Sequence, residues 1–145
     1  MLSSMADALS SEVRAFLLEG TRTGKLGVLT PSGWPHVMPI WFVLDGDEIV
    51  FSTGRDTVKG RYLRREDRVS LCVDDDRPPF AYVHVRGRAR IDEQSDLLEW
   101  TTRIAERYVG AAEAEAFGRR NAVPSEMLVR IRPERVIAEF DVAGW

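Results

Sequence analysis

The segment Ser52 to Arg65 concentrates residue types that bind phosphate. Two hydroxyl residues, Ser52 and Thr53, end a predicted strand; a glycine then permits a sharp turn, and Lys59 and Arg61 fall in the first turn of a predicted helix. Hydroxyls, a helix N-terminus and cationic side chains together supply the hydrogen bonds and positive potential that a phosphate needs. Cations are unfavourable in a purely structural first turn, so they favour a bound anion. A solvated basic turn is the alternative, and these residues alone support both interpretations equally.

No other group of residues predicts catalysis or metal binding. His36 and His84 lie far apart, with no carboxylate or cysteine at ligand spacing beside either, so no metal site is predicted. The single cysteine, Cys72, lies in an apolar run and is predicted to be a buried structural thiol. Ser125-Glu126 has no triad partners that spacing identifies. Catalytic residues therefore stay unassigned.

Composition predicts one globular domain. The chain has 145 residues, of which 44 % are hydrophobic, and we expect a mobile tail over residues 1–9 followed by a single domain over 10–145. The net charge of −3 argues against nucleic acid as a partner. No stretch approaches the roughly 18 apolar residues of a membrane span, and no secretory signal is visible, so we expect a cytoplasmic protein without a membrane partner.

The elements that position the phosphate segment are mainly strands. Period-two patterns and turn residues predict seven strands. Pro39, inside the second of these, predicts an edge or a bulge. The predicted strands are Lys25–Thr30, His36–Leu44, Glu48–Thr53, Val69–Asp74, Ala81–Ile91, Met127–Ile131 and Arg135–Val142, the last two joined at Arg132-Pro133.

Helical patterns are short and flank the strands. Ser10 or Ser11 caps a first helix that stops before Gly20, and Ser95 caps the longest one, which ends near Gly110. Its buried stripe is predicted to comprise Leu97, Leu98, Thr101, Ile104, Ala105 and Tyr108. Two further helices are predicted, Val58–Arg64 and Ala111–Arg119. Hairpins with helices at the side predict a mainly β (α+β) antiparallel split β-barrel rather than a parallel sheet.

The order of these pieces resembles a known family. The chain is similar to the pyridoxamine 5'-phosphate oxidase-like split-barrel proteins, and within them to the deazaflavin (coenzyme F420)-dependent reductases. The most specific match is Lys59–Ser70, with paired arginines and an acidic position before a strand. Further matches are Gly27–Thr30 with Gly33–His36, Trp41-Phe42 and Val85–Ala89.

The resemblance implies a homodimer with two cofactor sites at its interface. Residues matching Ser52, Thr53, Arg55 and Lys59 hold the cofactor phosphate in relatives. The ring there lies against the main chain that corresponds to Met38, Pro39, Ile40 and Trp41. The residues that the partner subunit contributes are not identified; Arg88 and Trp145 are the candidates.

The implied activity is hydride transfer between the reduced cofactor and an unsaturated small organic substrate. FMN and F420 share a ring, a ribityl chain and a phosphate, so a phosphate grip fits either. The resemblance favours F420, as does the arginine-rich, lysine-poor composition typical of GC-rich actinobacteria. FMN is the alternative cofactor, and a non-catalytic F420 or flavin carrier or sensor is the alternative function.

Overall fold

The computed structural model describes residues 2–4 and 9–144 of the chain. Within these residues it has eight strands and four helices. The strands are β1 (Leu2–Ser4), β2 (Gly24–Leu29), β3 (Pro35–Ile40), β4 (Val43–Asp45), β5 (Glu48–Gly54), β6 (Arg68–Asp75), β7 (Ala81–Asp92) and β8 (Glu126–Glu139). The helices are α1 (Ser11–Leu18), α2 (Val58–Leu63), α3 (Leu97–Val109) and α4 (Ala111–Asn121).

The strands form one antiparallel sheet in the order β3–β2–β6–β7–β8–β5–β4, and β1 pairs with β8. Alternation along each strand separates a buried face from an outer face; in β7, for example, Val83 and Val85 are buried while Arg86 and Arg88 are exposed. The buried face encloses the core, onto which α1 packs Leu17. The predicted mainly β, antiparallel fold with short helices is therefore confirmed.

The predicted second strand is interrupted. His36–Leu44 divides into β3 and β4, with Trp41 and Phe42 between them. Pro39 lies in β3, which pairs only with β2 and so forms the edge of the described sheet. The edge position predicted from this proline is confirmed, because an edge strand tolerates a missing N–H.

The predicted break between the last two strands is wrong. The structure has one continuous strand, β8, across Pro133. Pro133 pairs with Gly87, next to a register shift between Arg86 and Gly87. This irregularity accommodates a residue that cannot donate to the ladder, so the strand continues across the proline.

Within the N-terminal segment, where a mobile tail over residues 1–9 stays a prediction, Leu2–Ser4 and Leu9 are described. Leu2–Ser4 forms a strand against Val136–Ala138 of β8, and the buried Leu9 donates its N–H to Asp47 Oδ1 at 3.4 Å. The reason is that β8 extends past its pairing with β5 and leaves backbone groups free to bond there. Residues 1 and 5–8, and the C-terminal Trp145, lie outside the described residues.

Two details of the helices correct the sequence analysis. Ser10 caps α1 as predicted, but α3 is capped by Asp96, while the Ser95 hydroxyl donates to Asp92. Leu98 is exposed, whereas Trp100 is buried on the side of α3 that faces the sheet. None of the helices in the described parts of the chain is long and apolar enough to cross a membrane.

Candidate functional site

A cleft of about 280 Å³ lies between the end of β3, the middle of β5, helix α2 and the pair α3–α4. Backbone and side chains from distant parts of the sequence meet there. We call it the Lys59 cleft. Its lining residues are Pro39, Ile40, Trp41, Ser52, Lys59, Thr101, Ile104, Ala105, Asn121 and Glu126.

The loop between β5 and α2 is folded tightly onto the helix. Thr57 caps α2: its Oγ1 accepts from the Gly60 N–H at 3.1 Å and lies 2.9 Å from the Gly54 carbonyl oxygen, to which it donates. A Cβ on Gly60 would lie 2.0 Å from the Gly54 oxygen, so only glycine allows this approach. The packing holds the first turn of α2, and with it Lys59, next to the strand that carries Ser52.

Lys59 is the cation of this cleft. It is half-buried, and burial lowers the pKa of its ammonium group, while the negative charge of Glu126 opposes that change. No carboxylate among the described residues forms a close ion pair with it. A desolvated ammonium without a close partner is suited to receive an anionic group.

Glu126 is the counter-charge that the sequence analysis missed. Burial raises the pKa of its carboxyl, and hydrogen bonding to Ser52 and the charge of Lys59 oppose that rise. It reaches the cleft because Glu126 pairs with Gly54 in the β5–β8 ladder. Its spacing in the sequence carries no signal of this, since the pairing joins strands more than seventy positions apart.

The Trp41 side of the cleft is held by aromatic packing. The rings of Trp41 and Tyr108 are stacked, with centroids 5.0 Å apart and planes within 6°. The Tyr108 hydroxyl donates to the Arg22 carbonyl at 2.8 Å and accepts from the Phe42 N–H at 3.2 Å. Trp41 is therefore fixed by α3 and still 39 % exposed.

The helices α3 and α4 close the remaining side. They pack tightly where Thr101 Oγ1 donates to the Gly118 carbonyl at 2.9 Å, and a Cβ on Gly118 would lie 2.1 Å from Thr102 Oγ1. Both helices are predicted from their periodicity, but their place beside the cleft is not. Helical periodicity shows which face is buried, not which strand covers it.

The structure brings together part of the residue set predicted to bind the cofactor. Their role in binding stays a prediction. Those that line the Lys59 cleft are Pro39, Ile40, Trp41, Ser52 and Lys59.

Four predicted residues do not line the cleft. Arg55 Nη2 contacts both carboxylate oxygens of Glu93, at 2.7 and 2.9 Å. Thr53 is buried, while Met38 and Arg61 are exposed outside the cleft. The cationic part of the predicted grip is therefore concentrated in Lys59.

Some groups of the Lys59 cleft favour phosphate binding and one opposes it. Ser52 supplies a hydroxyl, Lys59 an ammonium without a close partner, and Pro39–Trp41 an edge-strand main chain. Glu126 adds a carboxylate that repels an anion while ionised. Its raised pKa lowers the cost of the neutral form, in which it can donate a hydrogen bond instead. The cleft therefore suits a phosphate-bearing ligand, with Glu126 as the residue that limits its affinity.

Comparisons with known proteins place the fold and the family. Among solved structures, the conserved hypothetical protein Rv2991 from Mycobacterium tuberculosis is 29 % identical, with a TM-score of 0.79, over 94 % of this chain and 88 % of that one. An F420 reductase is 25 % identical, with a TM-score of 0.66, over 85 % of this chain and 94 % of that one. The heme storage protein HutZ from Vibrio cholerae is 18 % identical, with a TM-score of 0.70 over 94 % and 99 % of the two chains, and shares the fold.

A search of curated proteins finds no match. The sequence model of the pyridoxamine 5'-phosphate oxidase family, in contrast, matches residues 9–139, nearly the whole described chain. The chain therefore belongs to the pyridoxamine 5'-phosphate oxidase family.

Proposed function

We propose that this protein is an oxidoreductase that binds coenzyme F420 in the Lys59 cleft and reduces an unsaturated small organic substrate. The observation that carries the proposal is the meeting of Lys59, Ser52 and the Pro39–Trp41 edge in one cleft. Family membership and the 25 % identity to an F420 reductase support it.

The roles of the cleft residues follow from their positions. The Lys59 ammonium and the Ser52 hydroxyl bind the cofactor phosphate. The main chain of Pro39 to Trp41 orients the ring, since an edge strand leaves backbone groups without a ladder partner. The bound deazaflavin supplies the hydride chemistry, and the protein supplies orientation and exclusion of water.

A homodimer is part of the proposal. Exposed apolar side chains cluster on and beside the free edge strand β3, where Trp34 is 75 % and Val37 is 61 % exposed. Met38 and Trp41 continue this surface toward the Lys59 cleft. Exposed apolar surface next to a binding cleft favours a subunit interface, which also covers the strand edge. Light scattering coupled to size exclusion tests this directly, and a monomer that binds cofactor would contradict it.

The choice between F420 and FMN is tested by loading. The protein is purified from a host that makes no F420 and is then titrated with F420 and with FMN, followed by fluorescence. We expect colourless protein that binds F420 more tightly than FMN. A tightly bound yellow chromophore after purification would instead assign FMN to the cleft.

Catalysis is tested separately from binding. Protein loaded with reduced F420 is mixed in a stopped-flow instrument with a panel of enones and quinones, and oxidation of the cofactor is recorded. Oxidation faster than in free F420 supports the oxidoreductase. Tight binding with no acceleration across the panel would assign the protein as a carrier or sensor.

A further inference from the structure

A second, larger cleft lies on the outer face of the sheet. Its volume is about 420 Å³, and it crosses β2, β6, β7 and β8. It shares no lining residue with the Lys59 cleft. We call it the arginine cleft. Its lining residues are Gly27, Val28, Leu29, Pro35, Arg68, Val69, Ser70, Arg86, Gly87, Arg88, Glu134 and Arg135.

Two arginines of this cleft face each other across neighbouring strands. Arg86 of β7 and Arg135 of β8 are register partners at the irregularity in the ladder. Side chains at such positions are close enough that like charges directly opposite each other destabilise a sheet. An arrangement of this kind is stable when an anion lies between the two guanidinium groups.

The neighbouring arginines are neutralised, but these two are not. Arg68 pairs with Glu66 at 2.8 Å, and Arg88 pairs with both Asp67 and Glu134. Among the ion pairs of the described residues, none involves Arg86 or Arg135, and Glu134 pairs with Arg88 and Arg132 instead.

Arg135 also has an unsatisfied donor. Its Nε is buried and has no hydrogen-bond partner among the described residues. A buried donor without a partner is destabilising, so such groups are rare in native proteins. The neighbouring His84 reports the same positive field: burial lowers its pKa, and the charges of Arg86 and Arg135 lower it further.

The rest of the lining indicates the shape of the ligand. Gly27 leaves room above the sheet, since the nearest atom to a Cβ there is 3.7 Å away, and Leu29 and Pro35 add apolar surface beside it. A planar guanidinium binds a carboxylate through two parallel hydrogen bonds. We propose that the arginine cleft binds the carboxylate of a small organic acid between Arg86 and Arg135, with the apolar part of the acid over Gly27 and Pro35. This site does not depend on the cofactor assigned to the Lys59 cleft.

The test uses 2-naphthoate as the probe and 2-naphthamide, its uncharged isostere, as the matched ligand. Binding to the full chain without cofactor is measured by calorimetry for wild type, Arg86→Gln, Arg135→Gln and Arg103→Gln. Arg103 pairs with Glu99 on α3, away from the cleft, and serves as the control. We expect each of the first two substitutions to weaken naphthoate binding about tenfold or more, as loss of a charge-assisted contact does. Arg103→Gln leaves it unchanged.

Three results would overturn the site. They are no naphthoate binding to wild type, equal binding of naphthamide, and binding that survives both Arg86→Gln and Arg135→Gln. Arg86 is exposed, so its substitution tests the site even if Arg135→Gln fails to fold. Light scattering is run on the same samples, so that the first of these results, together with dissociation of a dimer in the variants, would assign the cleft to a subunit contact. The variants are also titrated with F420. We expect their F420 affinity to equal that of wild type, because neither arginine lines the Lys59 cleft.

Discussion

The Lys59 cleft and the arginine cleft both present positive charge to a ligand, but they balance that charge differently. In the Lys59 cleft a single ammonium shares its space with one carboxylate, Glu126, and both groups have pKa values shifted by burial. In the arginine cleft two guanidinium groups, Arg86 and Arg135, have no described counter-ion. The first cleft can therefore change its charge with pH through Lys59 and Glu126, whereas the second presents two guanidinium groups without an ion-pair partner.

Arg130 is an arginine whose charge is neutralised within the fold, in contrast to Arg86 and Arg135. Arg130, on the same strand as Arg135, is 5 % exposed and bonds Asp92 and Asp45, both at 2.7 Å. Burial would raise the pKa of Asp92, but its hydrogen bonds to Ser95 and Arg130 lower it below the usual range. The strand β8 therefore carries both an arginine that is neutralised by carboxylates, Arg130, and an arginine without an ion-pair partner, Arg135.

The largest expected effect comes from breaking the buried pair. Asp92→Ala leaves Arg130 with less counter-charge in a dry site, and we expect a loss of about 3–5 kcal/mol in the free energy of unfolding. The matched substitution is Asp67→Ala, which removes a partner of the exposed Arg88 at the rim of the arginine cleft. It is expected to cost far less, because the pair is exposed to solvent. Urea unfolding measures both, and equal losses would contradict the distinction between structural and exposed arginine pairs.

The next effect concerns the glycines that shape the two clefts. Ala normally stabilises a helix over Gly by about 1 kcal/mol, but a Cβ on Gly60 meets the Gly54 oxygen at 2.0 Å. We expect Gly60→Ala to lose about 1–3 kcal/mol or more of stability, together with cofactor affinity. Gly27→Ala is the control, because its Cβ meets only ordinary contacts in the arginine cleft. Thermal unfolding with a cofactor titration measures both, and a Gly60→Ala protein as stable as wild type would show that the loop is not locked.

The third prediction tests which cation holds the phosphate. Lys59→Ala should weaken cofactor binding by about 1.5–3 kcal/mol, the value of a charge-assisted hydrogen bond. Arg61→Ala removes an equal charge from the same helix, but outside the cleft, and should change affinity little. Fluorescence titration separates the two. Equal losses would mean that general positive potential, rather than a contact from Lys59, attracts the cofactor.

The features of the Lys59 cleft that depend on neighbouring residues could be predicted from the sequence. Hydroxyls, a glycine turn and a helix cap are contiguous between Ser52 and Lys59, and Pro39 indicated its edge strand. These features are set by backbone chemistry over a few residues, so a single sequence displays them. Most of the observed strands and helices follow the predicted periodicities for the same reason; the division of the second strand and the continuous strand across Pro133 do not.

The contacts between residues far apart in the chain could not be predicted from the sequence. Glu126 enters the Lys59 cleft through pairing with Gly54, and Arg86 meets Arg135 through the β7–β8 register. The family resemblance assigned Arg55 to the phosphate, but its guanidinium contacts Glu93 instead. Which charges meet, and which remain without a partner, is decided by tertiary pairing that periodicity does not report.

The smallest expected effect gives the clearest separation of the two clefts. Glu126 ionises above a pKa that burial raises from 4.5, and Lys59 loses its proton above a pKa that burial lowers from 10.5. The cleft therefore becomes less attractive to an anion as pH rises through either group, and cofactor affinity should fall from acid to alkaline pH. Glu126→Gln removes the acidic step and should raise affinity near neutral pH by about 1 kcal/mol, the repulsion of like charges about 4 Å apart in a water-like medium. Glu113→Gln on the exposed part of α4 is the control.

Titrations of cofactor at a series of pH values measure this change in affinity, with 2-naphthoate titrated in parallel. Lys59 and Glu126 do not line the arginine cleft, so naphthoate binding should not follow the pH profile of cofactor binding; a slope there that matches the cofactor slope would mean that the two clefts share one ionisation.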